Sequence, residues 1–172
     1  MALIASLVVG ANSATTLAGA STGLSTPPDR ARFLALHRSA GAIIIGKESA
    51  LAEDYSQTNV PIFIFSRSSE KLALIHPQMQ QITVDRDLAE ITRMIDHRID
   101  GDVAIEAGPR LLTALVEAGV VDYLQLSLSP IAGDGNFINL ENLMRNFEAE
   151  SEENSEGTRL LQCRYNGNAT NS

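Results

Sequence analysis

Between Asp102 and Gly119 the chain passes from a short apolar run into a helix through a two-residue join, and that join narrows the folds open to it. Val103, Ala104 and Ile105 form a run too short for a helix and too apolar for a loop, so they read as a buried strand ending at Glu106. Gly108 permits a tight turn, and Pro109 suits the first helical position, where its missing N–H would be unsatisfied in any case. Leu111, Leu112, Leu115 and Val116 then make one apolar stripe, and Gly119 ends the helix. The first amides of such a helix point outward at the positive end of its dipole, beside the carboxyl end of the strand. A phosphate suits that position; a strand-to-helix turn that binds nothing is the alternative reading.

The bounds agree with an α/β domain. A chain of 172 residues with 44% hydrophobic residues is long enough for a proper core, and residues 1–166 are expected to form a single domain followed by a polar tail at 167–172. No 18-residue apolar run is present, so no membrane span is expected. The net charge of −8 and pI near 4.8 argue against a nucleic-acid surface, which would usually need a basic stripe, so a phosphorylated ligand would have to be met locally. One cysteine, Cys163, excludes an internal disulfide framework and a thiolate zinc cage, and agrees with a reducing cytoplasm.

In chain order, residues 2–9 read as a buried strand; a secretory signal is the rival, weakened by the absence of any Lys or Arg before Arg30. Residues 11–26, dense in Gly, Ala, Ser and Thr, predict a mobile or ligand-covering loop. Thr26 is a plausible cap for a helix that begins with Pro27 and runs to about Ser39. Residues 42–45 and 61–65 predict two more strands, the second ending in Ser66-Arg67-Ser68-Ser69, which suits either a ribose 2′-phosphate or an exposed turn. A brief strand at 82–84 and an amphipathic helix at 87–99 follow, then a strand at 124–128 stopped by Pro130. Residues 147–157 hold five glutamates and predict a solvated loop or hairpin turn, with a terminal strand at 158–165 returning antiparallel to its predecessor. His37, His76 and His97 lack metal-ligand spacing and read as surface or helix-end residues, and no metal site is expected.

The run Glu106-Ala107-Gly108-Pro109-Arg110-Leu111, with Glu117-Ala118-Gly119-Val120-Val121-Asp122 and Ser129-Pro130-Ile131-Ala132-Gly133 after it, resembles the reductase domain of riboflavin biosynthesis. That family carries Glu-(Gly/Ala)-Gly-Pro, a leucine helix, Ala-Gly-Leu-Val-Asp-Glu and a loop running from Pro to Gly, and the pieces occur here in that order. The resemblance implies a three-layer dihydrofolate-reductase-like fold: a mixed, mainly parallel sheet with helices on both faces, closed by antiparallel C-terminal strands. It implies a homodimer, and NADPH with its pyrophosphate held at Gly108, Pro109, Arg110, Leu111 and Leu112. Glu106 would face the substrate, although capping the helix is its plain structural alternative. Ser21 matches a substrate-contacting serine, or belongs to a flexible loop. Ser49 and Glu53 stand where the family has a threonine and an aspartate near the cofactor, and Ser49 as a cap is the alternative.

The implied reaction is hydride transfer from NADPH to the ring-opened ribose carbon of a ribosylamino-pyrimidine phosphate, giving the ribityl product. No catalytic acid is named by the sequence. The zinc-deaminase signature of His-x-Glu with Pro-Cys-x-x-Cys is absent, so the resemblance is to the reductase alone. Three departures bear on the substrate. His37 occupies the place of an arginine, the short segment 56–59 lacks the arginine of the family's substrate loop, and no aspartate follows Ser6-Leu7. A nucleotide-binding relative with altered substrate or without turnover is therefore the second reading.

Overall fold

The computed structural model describes residues 1–73, 76–85 and 87–167, so most of the expected polar tail, 168–172, lies outside the described residues. Eight strands form one sheet in the order β4-β3-β2-β5-β1-β6-β8-β7: β1 Leu3–Val9, β2 Ala42–Gly46, β3 Ile62–Ser66, β4 Met79–Thr83, β5 Val103–Glu106, β6 Tyr123–Leu128, β7 Phe147–Ser155 and β8 Thr158–Tyr165. The pairs from β4 through to β6 are parallel, whereas β8 runs antiparallel to both β6 and β7. Helices α1 Pro27–Ser39, α2 Lys47–Ala52, α3 Leu88–Asp96, α4 Pro109–Glu117 and α5 Leu140–Met144 complete the chain. This is the expected mixed, mainly parallel sheet with an antiparallel C-terminal closure.

The alternation of the strands splits the core in two. Ile44, Ile105, Leu7 and Val9 face Leu112, Leu115 and Val116 of α4 and Ile95 of α3. Ile43, Ile45, Ile62 and Ile64 face the opposite way, against Leu36 of α1 and Tyr55. Strands covered on both faces read as continuous β-branched runs, which is why the Ile-rich stretch of β2 was legible. At its start β1 is pinned from both neighbours: Asp102 accepts from the Ala2 amide and Asp122 from the Leu3 amide, each at 2.8 Å.

Four expectations are corrected. The expected loop or hairpin turn at 147–157 shrinks to the turn at Glu156-Gly157: before it β7 is a nine-residue edge strand, exposed along nearly all its length. Its glutamates are compatible with a strand because, beyond the buried Phe147, the side chains of this edge reach solvent, and Glu152 and Glu150 pair with Arg159 and Arg164 on β8. Thr26 does not cap α1; its hydroxyl bonds that of Thr158 at 2.7 Å, joining the helix start to β8. The brief strand expected at 82–84 lies at Met79–Thr83, and α3 is shorter than expected because Asp87 caps it and turns follow Asp96. Helix α5 went unanticipated, although Asn139 caps it through the amide of Asn142.

The segment 11–26 is fastened to the loop after β6. Asn12 brackets Gly133, accepting from its N–H at 3.0 Å and donating to its carbonyl at 2.9 Å. A Cβ at Gly133 would lie 2.3 Å from the Thr16 carbonyl oxygen and 2.6 Å from the Ala14 Cβ, neither of which is a flexible side-chain end. Gly133→Ala is therefore expected to lower unfolding free energy by about 1–3 kcal/mol, as overpacking does, measured by urea denaturation. A variant as stable as wild type would show that this seam yields without cost.

Candidate functional site

The carboxyl ends of β1, β2, β3 and β5 open into one cleft of roughly 990 Å³. Its walls come from segment 11–26 with the first turns of α1, from the start of α2, from the β3 turn and from the start of α4. A crevice at the carboxyl ends of parallel strands is where open α/β sheets bind ligands, since helix N-termini and connecting loops converge there. Its cations are Arg30, Lys47, Arg67 and Arg110, a local answer to the net charge of −8.

On one wall, Gly108 occupies the position before α4 and leaves the helix start without a side-chain cap, at φ −63° and ψ 170°. The turn thus needs no left-handed residue, and the expectation that Gly108 serves backbone freedom is corrected. What the missing side chain leaves is space: no atom lies within 4 Å of a Cβ placed there. Pro109, Arg110 and Leu111 line the cleft beside it. Leu112 does not, since its side chain is in the core and its amide already donates to the Gly108 carbonyl at 3.0 Å. The amides left to a ligand are those at the very start of the helix.

Opposite, Ser21 and Glu53 are brought together, with the serine hydroxyl donating to Glu53 Oε1 at 2.6 Å across the cleft wall. Ser49 lines the cleft at the third position of α2 and makes no cap, which settles the capping alternative against it. Ser66 is buried, and its hydroxyl is engaged with the backbone of Ser68 in both directions at 3.2 Å. Arg67, exposed and without an ion pair among the described residues, is the charged group that this turn presents.

Glu106 lies at the cleft floor with only 7% of its surface exposed. One carboxyl oxygen, Oε1, bonds His37 Nε2, and the other, Oε2, accepts from the Tyr55 hydroxyl at 3.1 Å. His37 lies in the last turn of α1, as the helix-end reading has it, but it faces inward, so the surface alternative is corrected. Arg30, Phe33 and His37 share one face of α1 at i, i+3 and i+7: Arg30 sits 5.2 Å from the centre of the Phe33 ring, which in turn lies 4.4 Å from the His37 ring, tilted by 34°. Burial pushes Glu106 up to about 8, against the lowering effect of the Tyr55 hydrogen bond; the charge of Glu53 adds to the rise and that of Arg30 opposes it. Burial also lowers His37, with Arg30 adding to the effect, and holds the Tyr55 phenol in its protonated form. Burial in this way disfavours the charged form of the carboxyl group.

Asp29 is a second buried carboxylate that the sequence reading passed over. It accepts from Ser25 and Ser127, while Arg32 donates to Ser127 and to the Leu161 carbonyl, tying α1 to β6 and β8. No group of three or more potential metal ligands occurs among the described residues.

The family model of the RibD C-terminal domain matches residues 12–138, well over half of the chain. The chain belongs to the RibD C-terminal domain family. Solved structures share its fold. A pyrimidine reductase-like protein from Corynebacterium diphtheriae is 14% identical, with a TM-score of 0.72 and coverage of 96% of this chain and 92% of that one. A deaminase/5-amino-6-(5-phosphoribosylamino)uracil reductase from Thermotoga maritima is 14% identical at a TM-score of 0.71; the match covers 96% of this chain and 57% of that longer one. Dihydrofolate reductase from Enterococcus faecalis, complexed with NADP(H), aligns at a TM-score of 0.66 and 13% identity, over 96% of each chain. No curated protein sequence matches the chain. No helix among the described residues is long and apolar enough to cross a membrane.

Proposed function

We propose that this RibD C-terminal domain is an NADPH-dependent reductase of a ribosylamino-pyrimidine phosphate, converting the ribosyl group to ribityl in riboflavin biosynthesis. The observation that carries the proposal is the start of α4, an uncapped helix N-terminus with open space at Gly108 inside a cleft that also holds Arg67 and Arg110. These groups fit a dinucleotide. The amides of Gly108, Arg110 and Leu111 would hold its pyrophosphate, and Arg67 its 2′-phosphate. Bound NADPH supplies a hydride, so the protein's own part is to align two carbons, exclude water and place a proton. The reading includes a homodimer, as the family resemblance implies, a cytoplasmic location, with which the single cysteine agrees, and residues 1–166 as one domain.

Titration of the purified protein should show saturable binding of NADPH, tighter than that of NADH. Arg67→Gln should weaken NADPH by about tenfold and leave NADH unchanged, as expected for one charge-assisted hydrogen bond to phosphate. Equal weakening of both cofactors would remove Arg67 from the 2′-phosphate. Turnover is tested by NADPH oxidation with the ribosylamino-pyrimidine phosphate, in parallel with rescue of a riboflavin-requiring strain that lacks its reductase. A second reading, a nucleotide-binding relative without this turnover, is favoured by one observation: His37 stands in place of the arginine and occupies Glu106. Binding of NADPH with neither turnover nor rescue would select it.

A further inference from the structure

We propose that Arg30 binds the phosphate of the substrate and takes the place of the two arginines that the sequence lacks. The inference rests on the reductase reading above and names the group that would tell a ribosylamino-pyrimidine phosphate from its unphosphorylated riboside.

Position singles this residue out. Of the cations lining the cleft, Lys47, Arg67 and Arg110 stand at the start of α2, in the turn after β3 and at the start of α4, the walls given above to the cofactor. Arg30 belongs to the wall that carries Ser21, in the first turns of α1. It shares a helix face with His37 at i and i+7, about 10 Å apart along the axis. His37 bonds Glu106 on the cleft floor, so a five-carbon sugar phosphate that begins at the floor and extends along α1 brings its phosphate to Arg30. Arg32, the next cation on the helix, is tied instead to Ser127 and to the Leu161 carbonyl.

The guanidinium is both placed and free. It makes no hydrogen bond or ion pair among the described residues, so its N–H donors are open. It nevertheless lies 5.2 Å from the centre of the Phe33 ring, which is itself held against His37. Contact with an aromatic face steadies a guanidinium and leaves its edge, the fork that matches a phosphate, turned outward. The carboxylates on this side do not claim it. Asp29 accepts from Ser25 and Ser127, Glu53 from Ser21, and Glu106 from Tyr55, with His37 on its other oxygen. A sugar ending in a hydroxyl group would leave Arg30 as it is. A phosphate would gain a charge-assisted pair there, and no second cation lines this wall among the described residues, so the discrimination falls on one side chain.

The test uses protein saturated with NADP⁺, which permits substrate binding without turnover, titrated with the ribosylamino-pyrimidine phosphate and with the matching riboside. Wild type should bind the phosphate at least about tenfold more tightly than the riboside. Arg30→Gln should weaken the phosphate by about 10–100-fold, to within about threefold of the riboside, with NADPH affinity and melting temperature unchanged. Arg30→Lys should restore part of the preference, because the charge remains and the fork is lost. In steady state the loss should appear in KM for the phosphate rather than in kcat, as it does for an interaction made equally in ground and transition states. Equal binding of the two compounds by wild type, equal weakening of both by Arg30→Gln, or a full phosphate preference in Arg30→Gln each overturns the proposal while the reductase reading stands. Arg30-dependent binding of the phosphate without NADPH oxidation would overturn the reductase reading and leave this site in place. Binding of neither compound overturns both.

Discussion

Gly108→Asp should abolish NADPH binding and leave the protein as stable as wild type or slightly more so. Two observations make the change harmless to the fold: the backbone at 108 is ordinary extended chain, and the place of the new side chain is empty. Aspartate is also among the preferred residues at a helix N-cap, where its carboxylate accepts from the amides of the first turn. Those are the amides a pyrophosphate needs. The substitution would satisfy them internally and set a negative charge where the phosphates bind; at about 4 Å and an effective dielectric near 20, each such repulsion is about 4 kcal/mol. A loss of affinity of at least about 100-fold is expected, measured by fluorescence or calorimetric titration alongside a melting curve. Gly108→Ala, with a side chain but no charge, should bind nearly as well as wild type. If the aspartate variant binds NADPH normally, the start of α4 is not the phosphate site.

Leu115→Ala should cost about 2–5 kcal/mol of unfolding free energy, the range for truncating a fully buried leucine. Leu115 has no exposed surface and sits in the cluster that joins α4 to β1, β2 and β5. The cavity it would leave lies behind the helix whose first turn faces the cleft, so cofactor affinity should fall as well, by less than in Gly108→Asp. Urea denaturation and titration at a temperature where the variant is folded separate the two effects. A loss below about 1 kcal/mol would mean that the surrounding leucines and valines close the gap, and that α4 is placed by its connections more than by its stripe.

Much of this architecture was readable because burial writes itself into local sequence. The Ile run of β2, the stripe of α4 and the Gly119 stop each have one local physical cause, and each stands where the sequence put it. Gly119 adopts φ +66°, where a side chain would be strained. The errors fall where the cause is distant. Nothing near residue 147 says that its strand will lie at an edge of the sheet, so its glutamates read as a loop or hairpin turn. Thr26 has the chemistry of a cap but meets Thr158, a partner 132 positions away. The site divides in the same way: Gly108 and Glu106 are legible from the strand-to-helix join, whereas the partners of Glu106 come from α1 and from the segment after α2. The i, i+3, i+7 spacing of Arg30, Phe33 and His37 was present in the sequence and marks one helix face. It could have moved His37 from the surface to the site.

The placement of β1 has a consequence for how the chain is made. The first strand of this chain lies in the interior of the sheet, between β5 and β6, and its backbone partners start at Val103 and Tyr123. During synthesis at about 5–20 residues per second, an apolar segment must therefore wait roughly 5–25 s before either flanking strand exists. Loop closure over such separations is costly and slow, so the central pairing is the late step and β2 with β3 the early one. Until then Leu3, Leu7 and Val9 are exposed on a strand with two open edges, the species most prone to capture by a chaperone or by another nascent chain.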